Sequence, residues 1–148
     1  MMREIALQTP LGVLAALRND GEGPHVLALH GWLDNAASFL PLAAHLRAID
    51  LVALDLPGHG HSAHLPPGAD YSFASAIASV LDAADALGWD RFALLGHSMG
   101  AGIASQVAAA CPQRIERLVA IEALGALSEV PERTVSRLRD ALDRKSVV

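Results

Sequence analysis

Leu94-Leu95-Gly96-His97-Ser98-Met99-Gly100 joins an apolar run to a helix-forming one through the pattern G-x-S-x-G. Phe92 to Leu95 reads as a short buried strand, and Ala101, Gly102, Ile103 and Val107 read as a helix that begins just after Ser98. A serine on so tight a strand-to-helix turn needs small residues two places to either side. The backbone passes close to its neighbours there, and the serine is held in a strained conformation. Gly96 and Gly100 meet that need, and the first amides of the helix lend positive potential to an oxyanion. The competing reading makes Ser98 a helix cap after a glycine turn. The strand and the helix standing where the turn requires them favour a nucleophile.

Outward from this turn the chain alternates. Ile5 and Leu7, then Leu11 to Leu17, predict a β-hairpin turning at Thr9, Pro10 and Gly12. Val26 to Leu29 and Ile49 to Leu54 predict strands buried on both faces. Between them Asn35 is set to cap a helix with Phe39, Leu42, Ala43 and Leu46 on one stripe. A loop rich in Gly, His and Pro runs from Asp55 to Asp70, and a helix from Phe73 through Val80 and Leu87 stops at Gly88. Leu118 to Ile121 is a further strand, and Pro131 to Lys145 an exposed amphipathic helix. Strands alternating with helices imply an α/β fold: a mostly parallel sheet with helices on both faces, preceded by the hairpin. Ser98 then lies at the carboxyl end of a central strand, where open sheets of this kind place their sites.

With 148 residues, 52% of them apolar and 18% charged, the chain fits one globular domain. A net charge of -5 provides no basic face for a phosphate backbone, so nucleic acid is excluded as a partner. Met1 to Pro10 carries Arg3 and Glu4 among short apolar runs, with neither a signal peptide nor a membrane span. Cys111 is the only cysteine, which rules out an internal disulfide and fits a reducing, cytoplasmic setting.

His59, His61 and His64 have the histidine spacing of a binuclear metallohydrolase motif, but Ala63 stands where that motif has aspartate. No histidine follows Ser98 to complete such a set. The expectation is therefore no metal and no cofactor.

Three stretches together resemble the α/β-hydrolase superfamily, and within it the serine-hydrolase-like proteins related in layout to haloalkane dehalogenases and epoxide hydrolases. They are His30-Gly31-Trp32, Asp55-Leu56-Pro57-Gly58-His59-Gly60-His61-Ser62, and Gly96 to Gly100, within a similarity running from about Leu11 to Leu127. The dehalogenase and epoxide hydrolase relatives use an aspartate nucleophile, whereas this chain has Ser98, so acyl transfer to water is the better expectation. The resemblance implies an oxyanion hole made by the backbone N–H groups of Trp32 and Met99, with Gly31 in the loop between strand and donor. Glu122 stands where some relatives carry the triad acid; others carry it one strand later.

The triad of this fold runs Ser, then Asp or Glu, then His. All seven histidines precede Ser98, and His97, flanking it, should aim its ring elsewhere. No intact triad is therefore expected: the chain reads as an amino-terminal portion of a hydrolase of ester or related acyl bonds, inactive alone. Residues 1–125 would form part of an incomplete core, and 126–148 the start of a helical cap, cut short. The other class is a non-catalytic, hydrolase-like binding module. Either way the sheet should end on an open edge prone to self-association.

Overall fold

The computed structural model describes residues 1–123 together with 132, 133, 135, 136, 139 and 140. Alternation along Arg3–Thr9 (β1) and Gly12–Arg18 (β2) turns Leu7, Leu14 and Ala16 inward, and the two strands pair antiparallel from Arg3↔Arg18 to Thr9↔Gly12. The remaining strands are His25–Leu29 (β3), Asp50–Leu54 (β4), Phe92–His97 (β5) and Ile115–Ile121 (β6). The sheet order is β1-β2-β4-β3-β5-β6, with β4, β3, β5 and β6 mutually parallel and the hairpin antiparallel against β4 through β2.

The central strands are apolar without interruption because both their faces are covered. Leu27 to Leu29 and Leu51 to Leu54 are completely buried. Period-2 alternation divides them into two cores. Leu27, Leu29, Val52, Leu54, Phe92 and Leu94 pack with Val80, Ala83, Ile103 and Val107 from the helices Phe73–Ala86 (α2) and Met99–Ala110 (α3). Ala28, Leu51, Ala53 and Leu95 pack on the other face with Ala36, Phe39 and Ala43, from a 3-10 turn over Ala36–Phe39 and the short helix Leu40–Ala43 (α1). Ser72 caps α2 by accepting from the Ser75 N–H, and Gly88, at φ 73, ends it.

Asn35 does cap the element after β3, accepting from the Ala37 N–H at 2.9 Å, but the expected helix through Leu46 is only a 3-10 turn and one helical turn. Pro41 has no N–H to bond back with, and His45 and Leu46 donate to Leu42 and Ala43 in three-residue steps that close the chain instead of continuing the helix. β6 begins at Ile115 and not at Leu118, with a register shift opposite Phe92 and Ala93 that leaves Glu116 outside the pairing. Among the described residues β6 pairs only with β5, so its outer edge is open, and Val119 and Ile121 are exposed. The amphipathic helix expected over Pro131 to Lys145 and the cap expected over 126–148 lie, but for the six residues named, outside the described residues.

At the amino edge of the sheet, buried Asp50 accepts from Arg18 Nε and Nη2 at 2.8 and 2.7 Å and from His25 Nδ1 at 3.0 Å. Trp89 stacks on His25 with centroids 4.5 Å apart. This cluster ties the hairpin to the parallel strands at the end opposite Ser98. Among the described residues no helix is long and apolar enough to cross a membrane.

Candidate active site

Parallel strands that end together bring the residues after them together. His30 and Gly31 follow β3, Asp55 follows β4, Ser98 follows β5 and Glu122 follows β6. Ser98 stands between β5 and α3 at φ 51 and ψ −113. For a residue with a side chain such a conformation costs about 1–3 kcal/mol and persists only where its surroundings enforce it. They do so on all sides: the Ser98 N–H donates to Ile121 O at 2.9 Å, and the Ser98 carbonyl accepts from Ala101 and Gly102 at 3.0 and 3.1 Å.

The two glycines of the pattern mark close approaches. A Cβ on Gly96 would lie 2.4 Å from Ala101 Cα, and one on Gly100 would lie 2.1 Å from Leu29 O. Met99 is the first residue of α3, so its N–H has no intrahelical partner, and among the described residues no carbonyl accepts it. That donor points out of a helix N-terminus beside Ser98, as an anion-binding amide does.

The second expected donor lies on a turn closed by the Asp34 N–H on Gly31 O at 3.3 Å, with Trp32 exposed and Leu33 at φ 56. A leucine in that region costs about 1–2 kcal/mol, so this turn too is held under strain. Gly31 sits against the Ser98 turn: its Cβ would lie 3.7 Å from Ser98 Cβ and 3.1 Å from His97 Nδ1.

His30 secures the turn from below. It is completely buried; its Nδ1 donates to Gly31 O at 2.7 Å and its Nε2 accepts from the Leu56 N–H at 3.1 Å. Accepting at Nε2 requires the neutral ring, and burial holds its pKa below the ordinary 6.5. Below 6.5 the unfolded chain binds this proton before the folded one does. The His30 contribution to stability is therefore complete above that value and is lost as pH falls toward the depressed folded value. Thermal unfolding is expected to show a lower midpoint at about pH 5.5 than at about pH 7.5, with the dependence flattened in His30→Gln; an equal slope in that variant would contradict this account.

Asp55 is the second anchor. Its Oδ1 accepts from the Ala36 N–H at 2.7 Å and its Oδ2 from the His61 N–H at 2.8 Å. Ser62 Oγ donates to Asp55 O and accepts from the Ala15 N–H at 2.8 Å, which fastens the loop to the hairpin. Within that loop the histidines diverge. His59 turns inward, donating to Pro57 O, with its ring 5.0 Å from that of His30, while His61 and His64 are exposed. No three metal-ligating side chains converge among the described residues.

The sequence left one contact unread. His97 Nε2 donates to Glu122 Oε2 at 3.0 Å, so the residue before Ser98 and the residue after β6 are joined. No hydrogen bond reaches Ser98 Oγ among the described residues. Beside Met99 a narrow apolar cleft of about 50 Å3 is walled by Leu56, Pro57, Tyr71, Phe73 and Ile103. Wider clefts of about 500 and 750 Å3 open against the hairpin and near the amino terminus, and Ser98 is not in their walls. The strand ends mark the candidate site better than cleft volume does.

Comparison with known proteins agrees with this arrangement. A profile of the alpha/beta hydrolase fold matches residues 24–144. A serine hydrolase-like protein of Dictyostelium discoideum is 47% identical over 107 residues, covering 70% of this chain and 30% of its own length. The human serine hydrolase-like protein is 36% identical over 124 residues, covering 82% of this chain and 61% of its own. The crystal structure of a hypothetical protein from Pseudomonas aeruginosa PAO1 superposes with a TM-score of 0.83 at 43% identity, over 99% of this chain and 52% of that one. The chain thus spans about half that structure and less than two thirds of these relatives. With its strand order, its strained serine turn and a family match over most of its length, the chain belongs to the α/β-hydrolase fold family.

Proposed function

We propose that this chain carries the nucleophile and oxyanion-binding half of a serine hydrolase acting on esters or related acyl compounds. Ser98 Oγ attacks the acyl carbonyl, and the N–H groups of Met99 and Trp32 receive the oxygen as it gains charge. The bond from the carbonyl carbon to the leaving group breaks, the leaving group departs with the proton taken from Ser98, and water then cleaves the acyl-serine bond to give the free acid. The observation that carries this reading is Ser98 at φ 51 and ψ −113 on the turn into α3, beside an unclaimed helix-terminal amide. A structural cap would have no use for such strain. The proton must pass through a base, and a histidine supplied by polypeptide outside this sequence is the fitting one.

A fluorophosphonate probe tests the reading. Ser98 is expected to be the labelled residue, found by mass spectrometry, slowly in this chain and faster in a longer polypeptide with a downstream histidine, and absent from Ser98→Ala. Labelling confined to a longer polypeptide with a downstream histidine would place the base outside this chain. No labelling in either would favour a binding module, a reading that the unbonded Ser98 Oγ itself permits.

A further inference from the structure

The chemistry above assigns no step to His97 or to Glu122, a residue that the family resemblance offers as a triad acid, yet they bond to each other beside Ser98. Their 3.0 Å hydrogen bond bridges the ends of β5 and β6, next to the bond from the Ser98 N–H to Ile121 O. Glu122 reaches His97 from a backbone at φ 65, a conformation that needs local support. The other side of the His97 ring faces the turn after β3. The point a Cβ on Gly31 would occupy lies 3.1 Å from His97 Nδ1, 3.4 Å from Cε1 and 3.7 Å from Ser98 Cβ. Gly31 is therefore seated against the imidazole and the serine at once.

From this geometry we propose that His97 and Glu122 are a positioning pair, a strut that sets the height of the Gly31–Asp34 turn against Ser98. The inference rests on the acyl-transfer reading of Ser98 and Trp32. An oxyanion donor is effective only within a few tenths of an ångström of its place, and the turn that carries Trp32 is strained at Leu33, φ 56, so it relaxes if unsupported. The Glu122 carboxylate fixes the rotation of the imidazole, and the imidazole fixes Gly31.

Four single variants and one double variant test the strut with two readouts. In His97→Ala and Glu122→Ala the amides of Gly31–Asp34 should exchange hydrogen faster, and the fluorophosphonate should label Ser98 roughly three- to tenfold more slowly. His97→Gln and Glu122→Gln keep a donor and an acceptor of matching reach, and both should restore most of each effect. The double alanine variant should be no worse than the worse single, because the pair acts as a unit. Unchanged exchange in the alanine variants, or losses that multiply in the double, would overturn the proposal. So would Glu122→Gln labelling as poorly as Glu122→Ala with normal exchange, since Glu122 would then be the acid behind a base. If neither this chain nor a longer polypeptide with a downstream histidine is labelled, the acyl-transfer reading loses its support while the exchange readout still decides the strut.

Discussion

Gly100→Ala should destabilise the protein strongly, although alanine is the better helix former. The point its Cβ would occupy is 2.1 Å from Leu29 O, 2.5 Å from Leu29 C and 2.6 Å from His30 O. All three atoms are backbone at the end of the central strand β3, so no side chain can swing aside. Either α3 rises off the sheet, opening the core around Ile103, Ala104 and Val107, or the end of β3 moves and takes His30 and the Gly31 turn with it. Alanine in place of glycine contributes about 1 kcal/mol of helix propensity. Displacing a helix whose face from Gly100 to Val107 is buried costs about 3–5 kcal/mol, so the loss wins, against a total stability of only about 5–15 kcal/mol. Gly88→Ala is the control: nothing lies within 4 Å of its Cβ, and the strain of φ 73 alone should cost about 1–2 kcal/mol. Urea unfolding and soluble yield would measure both; a Gly100→Ala protein as stable as Gly88→Ala would show that α3 is not seated as described.

The same close approach explains why the fold was legible in the sequence. Gly96 and Gly100 stood at the positions where strand, turn and helix need them, and the order of apolar runs and helical stripes pointed to a mostly parallel sheet covered on both faces; which strand residue faces α2 and α3 and which faces α1 came only with the structure. These are local signals, so one sequence carries them. What was not legible depends on pairing between distant segments. His97 was expected to aim away from Ser98, but that it meets Glu122 follows from the β5–β6 register, which sets His97 opposite Ile121. His30 stood in the sequence as part of a motif; its role as a neutral buried link emerges only when the Leu56 amide is brought to its Nε2. The break between the 3-10 turn and α1 falls beside Pro41, a signal that the stripe from Phe39 to Leu46 does not register. Asp55 was the largest omission, since a carboxylate opening a Gly-rich loop looks solvated until the two amides it holds are in place.

Asp55→Ala is accordingly expected to cost about 3–5 kcal/mol, close to what breaking a buried charged network costs elsewhere. The N–H groups of Ala36 and His61 would lose their acceptors in a site where the carboxylate is nearly inaccessible. Each such orphan costs about 1–3 kcal/mol. Water could reach the vacated space only by loosening Gly60, now packed against the carboxylate at φ 51 with room for no side chain. Asp55→Asn should recover less than its shape suggests. Its carbonyl oxygen can take one of the two amides, but its NH2 group then faces the other, donor against donor. Both variants free the 3-10 turn that follows Trp32, so Ser98 labelling should fall along with stability, even at temperatures where the protein stays folded. Chemical denaturation of the three proteins, with labelling rates taken well below each midpoint, separates the effects; an Asn variant as stable as the wild type would mean that Asp55 holds only one of its two amides in solution.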